Sequence, residues 1–309
     1  MSRSLKAHLL LVLISLIWGA NFVVIKNALA DVSPLFFNAV RMSLAALVLA
    51  LVFRRELPRI TKGALLSSCV VGSFLYLGNE LQTTGLLYTT PSKSAFLTGV
   101  SIVLVPLFLS LFWKRPINRW SATGVGMAFV GLYLLTVPAA HGAGLNLRSM
   151  NRGDLLTLGA ALVFAFHIIF IGHFTQKHRW QQITVAQVAV TAFLMIMTVP
   201  FAEKVSVTWS PRVIAGIVIT GFFSLAFAFS IQAWAQQFTP PTHTALIFSL
   251  EPVFAWITSL LLLGERLGLR AGIGAVFILA GVLLSEEMGG VESMAVPPDH
   301  AGVPATSDD

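Results

Sequence analysis

Tyr88–Phe96 reads YTTPSKSAF, and Phe238–Leu246 reads FTPPTHTAL. Both stretches stand between long apolar runs, and Phe238 lies 150 residues after Tyr88. The same offset, without a gap, places Gln82 on Gln232, Pro91 on Pro241, Ala95 on Ala245, Gly124 on Gly274 and Gly131 on Gly281. The chain reads as one unit used twice. Each unit holds about five apolar runs of roughly the 20 residues that a membrane-spanning helix needs. Five is odd, so the second copy must run upside down relative to the first. Inverted repeats in a membrane point to secondary transport, in which a midplane site is exposed to one side and then to the other.

Composition excludes most alternatives. The chain of 309 residues is 56% hydrophobic and 11% charged, with a mean hydropathy of +0.82. A soluble domain carries about 25% charged residues, so no soluble catalytic domain fits. The net charge of +7 does not point to nucleic acid, because the basic residues fall in short loops between apolar runs. The single cysteine, Cys69, permits neither an intrachain disulfide nor a cysteine metal cluster. No cofactor motif is present. The N-terminal run has the basic start of a signal peptide, with Arg3 and Lys6, and Ala28-Leu29-Ala30 imitates a cleavage site. It is long for such a segment and carries Trp18, Asn21 and Lys26, so a retained first span is expected.

The apolar pattern predicts ten helices over 7–29, 34–53, 63–88, 92–113, 119–138, 153–175, 182–201, 212–238, 241–263 and 269–286. The expected fold is an all-α integral membrane protein. Its first repeat covers 1–138, a connecting loop covers 139–152, the second repeat covers 153–286, and an acidic, disordered tail follows over 287–309. In the first half, Arg3, Lys6, Arg54, Arg55, Arg59, Lys62, Lys114, Arg115 and Arg119 would share one side. The positive-inside rule makes that side cytoplasmic and places both termini there. Gly124, Ala128 and Gly131 share a face of one predicted helix, and Gly274 and Gly281 share a face of another. Small residues allow close backbone approach, either within the monomer or at a homodimer contact.

Ionisable residues at membrane depth need a partner or a wet cavity. One layer holds Asn21, Arg41 and Glu80, each about 10–12 Å below one surface at 1.5 Å per residue. Arg41 and Glu80 would neutralise one another as an ion pair, either structural or involved in gating or substrate. Asn79 and Gln82 flank Glu80, and Trp18 lies a turn from Asn21. A second layer holds His167, Gln232 and Glu251. Glu251 has no charged partner in that layer, so it reads as a proton carrier or substrate contact, or as a neutral carboxyl bonded to a neighbour. His167 reads first as an interhelical hydrogen-bonder. Pro252 deprives a helix carbonyl of its donor, and Pro106 does the same one turn from the equivalent position. Lys93 and His243 read as interfacial residues. Ser94, Thr98 and Ser101 are expected to bond back to their own helix.

These residues resemble a known family. Trp18-Gly19-Ala20-Asn21-Phe22, Arg41, Thr89–Leu97, Ser249–Phe254 and Leu263-Gly264-Glu265-Arg266 are similar to the EamA family of the drug/metabolite transporter superfamily, over about residues 7–286. The resemblance implies ten helices, an inverted five-helix repeat and a cavity framed by the first, third and fourth helices and their counterparts. It also implies a bacterial inner-membrane exporter of small metabolites such as amino acids. Asn21, Arg41 and Glu251 match positions in the family motifs. The first repeat has Lys114-Arg115 where the second has Gly264-Glu265, which puts a shared role for those loops in doubt.

The function expected is alternating-access export of a small metabolite, with possible proton coupling. Efflux of an amphipathic drug or cation is the alternative: Glu80 and Glu251 suit a cation, while Arg41 suits a carboxylate. An intramembrane enzyme would need a nucleophile with a base, paired aspartates or a metal set, and the sequence shows none of these patterns.

Overall fold

The computed structural model describes residues 2–136, 150–263 and 268–288. The expected tail, most of the expected connecting loop and the Gly264-Glu265-Arg266 motif lie outside the described residues. The helices are α1 (Arg3–Ala28), α2 (Pro34–Val52), α3 (Lys62–Tyr88), α4 (Pro91–Gly99), α5 (Ser101–Trp113), α6 (Arg119–Thr136), α7 (Arg152–Phe174), α8 (Trp180–Ala202), α9 (Pro211–Ile219), α10 (Ala228–Ala235), α11 (Pro241–Phe248), α12 (Glu251–Leu263) and α13 (Leu269–Met288). Among the described residues, seven spans are long and apolar enough to cross a membrane: α1, α2, α3, α4–α5, α7, α8 and the run from Pro211 to Ala235. Leu47, Leu51, Leu111 and Val276 are more than half exposed. Such a surface suits lipid and not water.

Local chemistry explains where these helices start. Pro91 and Pro241 both open a helix, where the missing N–H costs nothing and the fixed φ is already helical. The repeated motif of the sequence is therefore a repeated helix start. Thr61, Thr90 and Ser210 cap α3, α4 and α9 through their side-chain oxygens. Asn151 and Asp154 form a reciprocal capping box on α7.

Three helices expected to be continuous are not. The run 92–113 breaks at Val100, and the run 241–263 breaks at Ser249–Leu250, at equivalent positions of the two repeats. Pro106 and Pro252 remove the donors that the carbonyls of Ile102 and Phe248 would use. At each break the chain tightens: the Val100 N–H donates to the Leu97 carbonyl at 3.3 Å, and the Leu250 N–H to the Ile247 carbonyl at 3.0 Å. The third interruption is a π-helical stretch over Thr220–Phe227, between α9 and α10.

The inversion is visible in two helix pairs. A Cβ on Gly124 would lie 2.5 Å from the Gly281 carbonyl, and one on Gly131 would lie 2.5 Å from that of Gly274. Thus α6 and α13 run antiparallel with their backbones in contact, and these glycines are spent on packing inside the monomer. At the start of α2, the Glu203 carboxylate at the end of α8 accepts from the Leu35 and Phe36 N–H groups at 3.1 and 2.9 Å. Beyond the other end of α2, the Phe53 ring meets Trp180 at the start of α8, with centroids 5.4 Å apart. Each pair joins helices related by the 150-residue offset. Equivalent helices that run antiparallel belong to inverted copies.

Candidate functional site

A cavity of about 90 Å³ lies between the two repeats. A water needs about 10–15 Å³ on this kind of measure, so there is room for several waters or part of a small solute. The first repeat supplies α1, α2, α3 and the α4–α5 break, and the second supplies α7, the π stretch, α10 and the α11–α12 break. Of the residues singled out in the sequence, Trp18, Asn21, Arg41, Asn79, Gln82, His167, Gln232 and Glu251 all line it. The two polar layers meet in one space. Glu80 does not line it.

Each broken helix contributes its interruption. Gly99 and Ser101 flank the first break, Ser249 and Glu251 flank the second, and all four border the cavity. Irregular backbone at membrane depth is tolerated where it lines a cavity. The π stretch does related work. The Ser224 carbonyl within it accepts from the Trp18 indole N–H at 2.9 Å. Trp18 is then held edge-on by Phe248 and tilted against Phe229, with centroids 4.9 and 5.5 Å away. Close approach of α1 depends on Gly19, whose Cβ position lies 2.6 Å from the Glu251 carbonyl.

Arg41 departs from expectation. It forms no contact ion pair with Glu80. Its Nε donates to Asn38 Oδ1 at 3.0 Å, and its Nη2 donates to Asn79 Oδ1 at 3.0 Å and Thr83 Oγ1 at 3.4 Å. Asn38 and Asn79 are themselves held, since their amides donate to the Asn79 and Leu75 carbonyls. Three neutral side chains thus hold the guanidinium, which stacks over Phe37 at 5.4 Å. Both Glu80 oxygens are buried with no well-formed hydrogen bond, and Arg41 and Asn38 act on them only at longer range. Sequence reasoning sought the opposite charge and passed over Asn38 and Thr83.

His167 is buried on α7 and bonds Gln187 of α8 at 3.1 Å, the interhelical contact expected. Thr98 does not bond back to its helix but accepts from Gln82 at 3.0 Å. Ser94 Oγ has no partner. Lys93, whose side chain is partly exposed, pairs with the buried Asp154 at 2.5 Å, and the Thr89 hydroxyl donates to the same carboxylate. Its counterpart His243 is buried. Neither the Asn21 Oδ1 nor the Gln232 Oε1 has a hydrogen-bond partner, and the Glu251 carboxylate bonds to none of the described residues.

The free polar capacity of the cavity is therefore divided. Acceptors gather at Asn21, Gln232 and Glu251, while Arg41, the basic residue among the described lining residues, keeps Nη1 clear of hydrogen bonds to the described residues. A solute carrying an ammonium and a carboxylate meets complementary groups in this space.

The chain matches the model of the EamA-like transporter family twice, over residues 5–137 and 151–286. It is 33% identical to an uncharacterized transporter from Archaeoglobus fulgidus, over 91% of this chain and 86% of that one. It is 26% identical to the S-adenosylmethionine/S-adenosylhomocysteine transporter of Chlamydia muridarum, over 91% of this chain and 92% of the relative. A crystal structure aligns with a TM-score of 0.72 and 14% identity, covering 91% of this chain and 96% of the other. That likeness speaks for the fold.

Proposed function

From the premise that the chain belongs to the EamA-like transporter family, we propose that it exports small, amino-acid-like metabolites by alternating access. The family is one of membrane transporters and not of enzymes. In this reading the chain crosses a bacterial inner membrane ten times, with both termini in the cytoplasm. The repeats over 1–138 and 153–286 rock about the central cavity. The observation that carries the substrate class is the split of the cavity wall into the Arg41 donor and the Asn21, Gln232 and Glu251 acceptors. S-Adenosylmethionine, named for the Chlamydia relative, also ends in an ammonium and a carboxylate.

A second reading is proton-coupled efflux of amphipathic cations. It is favoured by Glu251, a carboxylate at the cavity without a described partner. Uptake of labelled amino acids into liposomes bearing the purified protein tests the first reading. Saturable uptake, competed by unlabelled substrate and measured with and without a pH gradient, is the expected result. Transport of lipophilic cations with no amino-acid uptake would replace it with the second.

A further inference from the structure

We infer that the cavity reads the N–H donors of its substrate's ammonium through Gln232, whose orientation is set by a relay that begins at a backbone carbonyl behind the cavity wall. The inference rests on the amino-acid reading above.

The orientation of an amide side chain is settled by its partners, because its oxygen only accepts and its nitrogen only donates. The relay starts at the Ile168 carbonyl of α7, which can only accept. Gln236 is 2.9 Å away, so the group it presents there is its Nε2. Its Oε1 must then face Gln232 at 3.1 Å, and Gln232 presents its own Nε2 to it. No freedom remains: the Gln232 Oε1 points elsewhere, and it has no partner. Gln232 lines the cavity and Gln236 does not. Gln232 and Gln236 are each 1% exposed, so bulk water does not complete the relay. Room for it is tight, since a Cβ on Gly172 would stand 3.2 Å from Gln236 Nε2.

A buried acceptor without a donor costs about 1–3 kcal/mol. A substrate that supplies an N–H recovers that cost, and one that cannot leaves it in place. A site built to bond a substrate N–H discriminates strongly against analogues that lack it. The repeat equivalent of Gln232 is Gln82, which is occupied otherwise: its Nε2 donates to Thr98 Oγ1 at 3.0 Å. Glu251 offers charge to any cation. Gln232 adds a requirement for a donor, so primary ammonium is favoured over a quaternary centre of the same charge.

The test uses full-length protein in liposomes. The probes are the proteinogenic amino acids taken up by the wild type and their N-trimethyl betaines, which keep the charge and lose every donor. The readout is the ratio of KM values, which does not depend on the amount of folded protein. Wild type is expected to favour the amino acid by tenfold or more. Gln232→Met should bring the ratio close to one, with kcat little changed. Gln236→Met, outside the cavity, should lower it several-fold. A preference for the amino acid over its betaine that is unchanged in both methionine variants would mean that size alone is read and would overturn the inference, leaving transport intact. Uptake of neither compound class by wild type would overturn the amino-acid reading and this inference with it.

Discussion

The two ends of the molecule carry the same device in different chemistry. At one end Lys26, on the last turn of α1, donates from Nζ to the carbonyls of Leu86, Leu87 and Thr89 at the end of α3, at 2.5, 3.2 and 3.0 Å. At the other end stands Gln176, 150 residues later, just beyond α7. It donates to the carbonyls of Gln236 and Gln237 at 3.3 and 3.1 Å. These carbonyls are the equivalents of Leu86 and Leu87. Each side chain fastens the end of one cavity-lining helix to another from the same repeat. One does so with a charge, the other with a neutral amide. Around Lys26 the fastening extends across the repeats, through Lys93 and Thr89 to Asp154 and from Asn151 to the Tyr88 carbonyl at 2.9 Å. At the Gln176 end, His243 and Ser4 replace Lys93 and Asp154. Glu56 pairs there with Arg179 at 3.0 Å, joining α8 to the turn after α2, and with Arg59 at 3.9 Å, away from the cavity.

Charge-assisted hydrogen bonds are roughly twice as strong as neutral ones. The asymmetry predicts that the cavity opens more readily at the Gln176 end. The largest effect should come from Asp154, which is 0% exposed and bonds Lys93, Thr89 and the Asn151 backbone. Asp154→Ala should cost about 2 kcal/mol or more, in part as a lost helix cap. The twin substitution Ser4→Ala should cost almost nothing. Thermal unfolding in detergent measures both, and equal losses would erase the asymmetry.

Next comes the latch itself. Lys26→Met should destabilise by about 1.5–3 kcal/mol and Gln176→Met by about 0.5–1.5 kcal/mol. In a Cys69→Ser background, a cysteine at Gln82 should then be labelled faster from the Lys26 side in the Lys26 variant. Faster labelling from the Gln176 side in that variant would reverse the assignment of ends. Gln176→Lys sharpens the comparison by giving both ends a charge. Substrate turnover should fall several-fold as that end becomes harder to open, with KM little changed. The smallest structural effect is expected at Glu251, whose twin is Ser101. Glu251→Gln should abolish the pH dependence of uptake, and Ser101→Ala should leave it intact. Persistent pH dependence in Glu251→Gln would remove that carboxylate from proton coupling.

Much of this architecture is legible in the chain because duplication writes it twice. The constant offset announced the inversion, and Pro91 and Pro241 marked equivalent helix starts. The polar residues at depth converge on one cavity because isolated polar side chains in lipid are costly, so their positions carry information. The helix breaks were less legible. Val100 and Leu250 are ordinary apolar residues; Pro252 follows its break by two residues, whereas Pro106 stands six beyond Val100, inside α5. In Thr220–Phe227 the one weak helix former is Gly221, and an isolated glycine is usually tolerated inside a helix, so the π stretch has no decisive local mark. Arg41 misled for a related reason: charge alone nominates Glu80, whereas the guanidinium geometry is met by the amides of Asn38 and Asn79.

The glycine seam of α6 and α13 also bears on the membrane around it. At 1.5 Å per residue, the 18 residues of α6 make a rod of about 27 Å, while the 27 residues of α3 make one of about 40 Å. Rods of such different length share one bilayer only if the long ones lean or protrude while the short ones stand close to upright. Phe129, Val130, Val276 and Leu283 turn the short pair's outer side to lipid. Acyl chains along that side should meet a hydrophobic belt narrower than the one beside α3, and local thinning of the bilayer is one way to match it. The duplicated fold thus presents membranes of different thickness with unequal flanks, and lipid chain length becomes a variable that acts on the seam first.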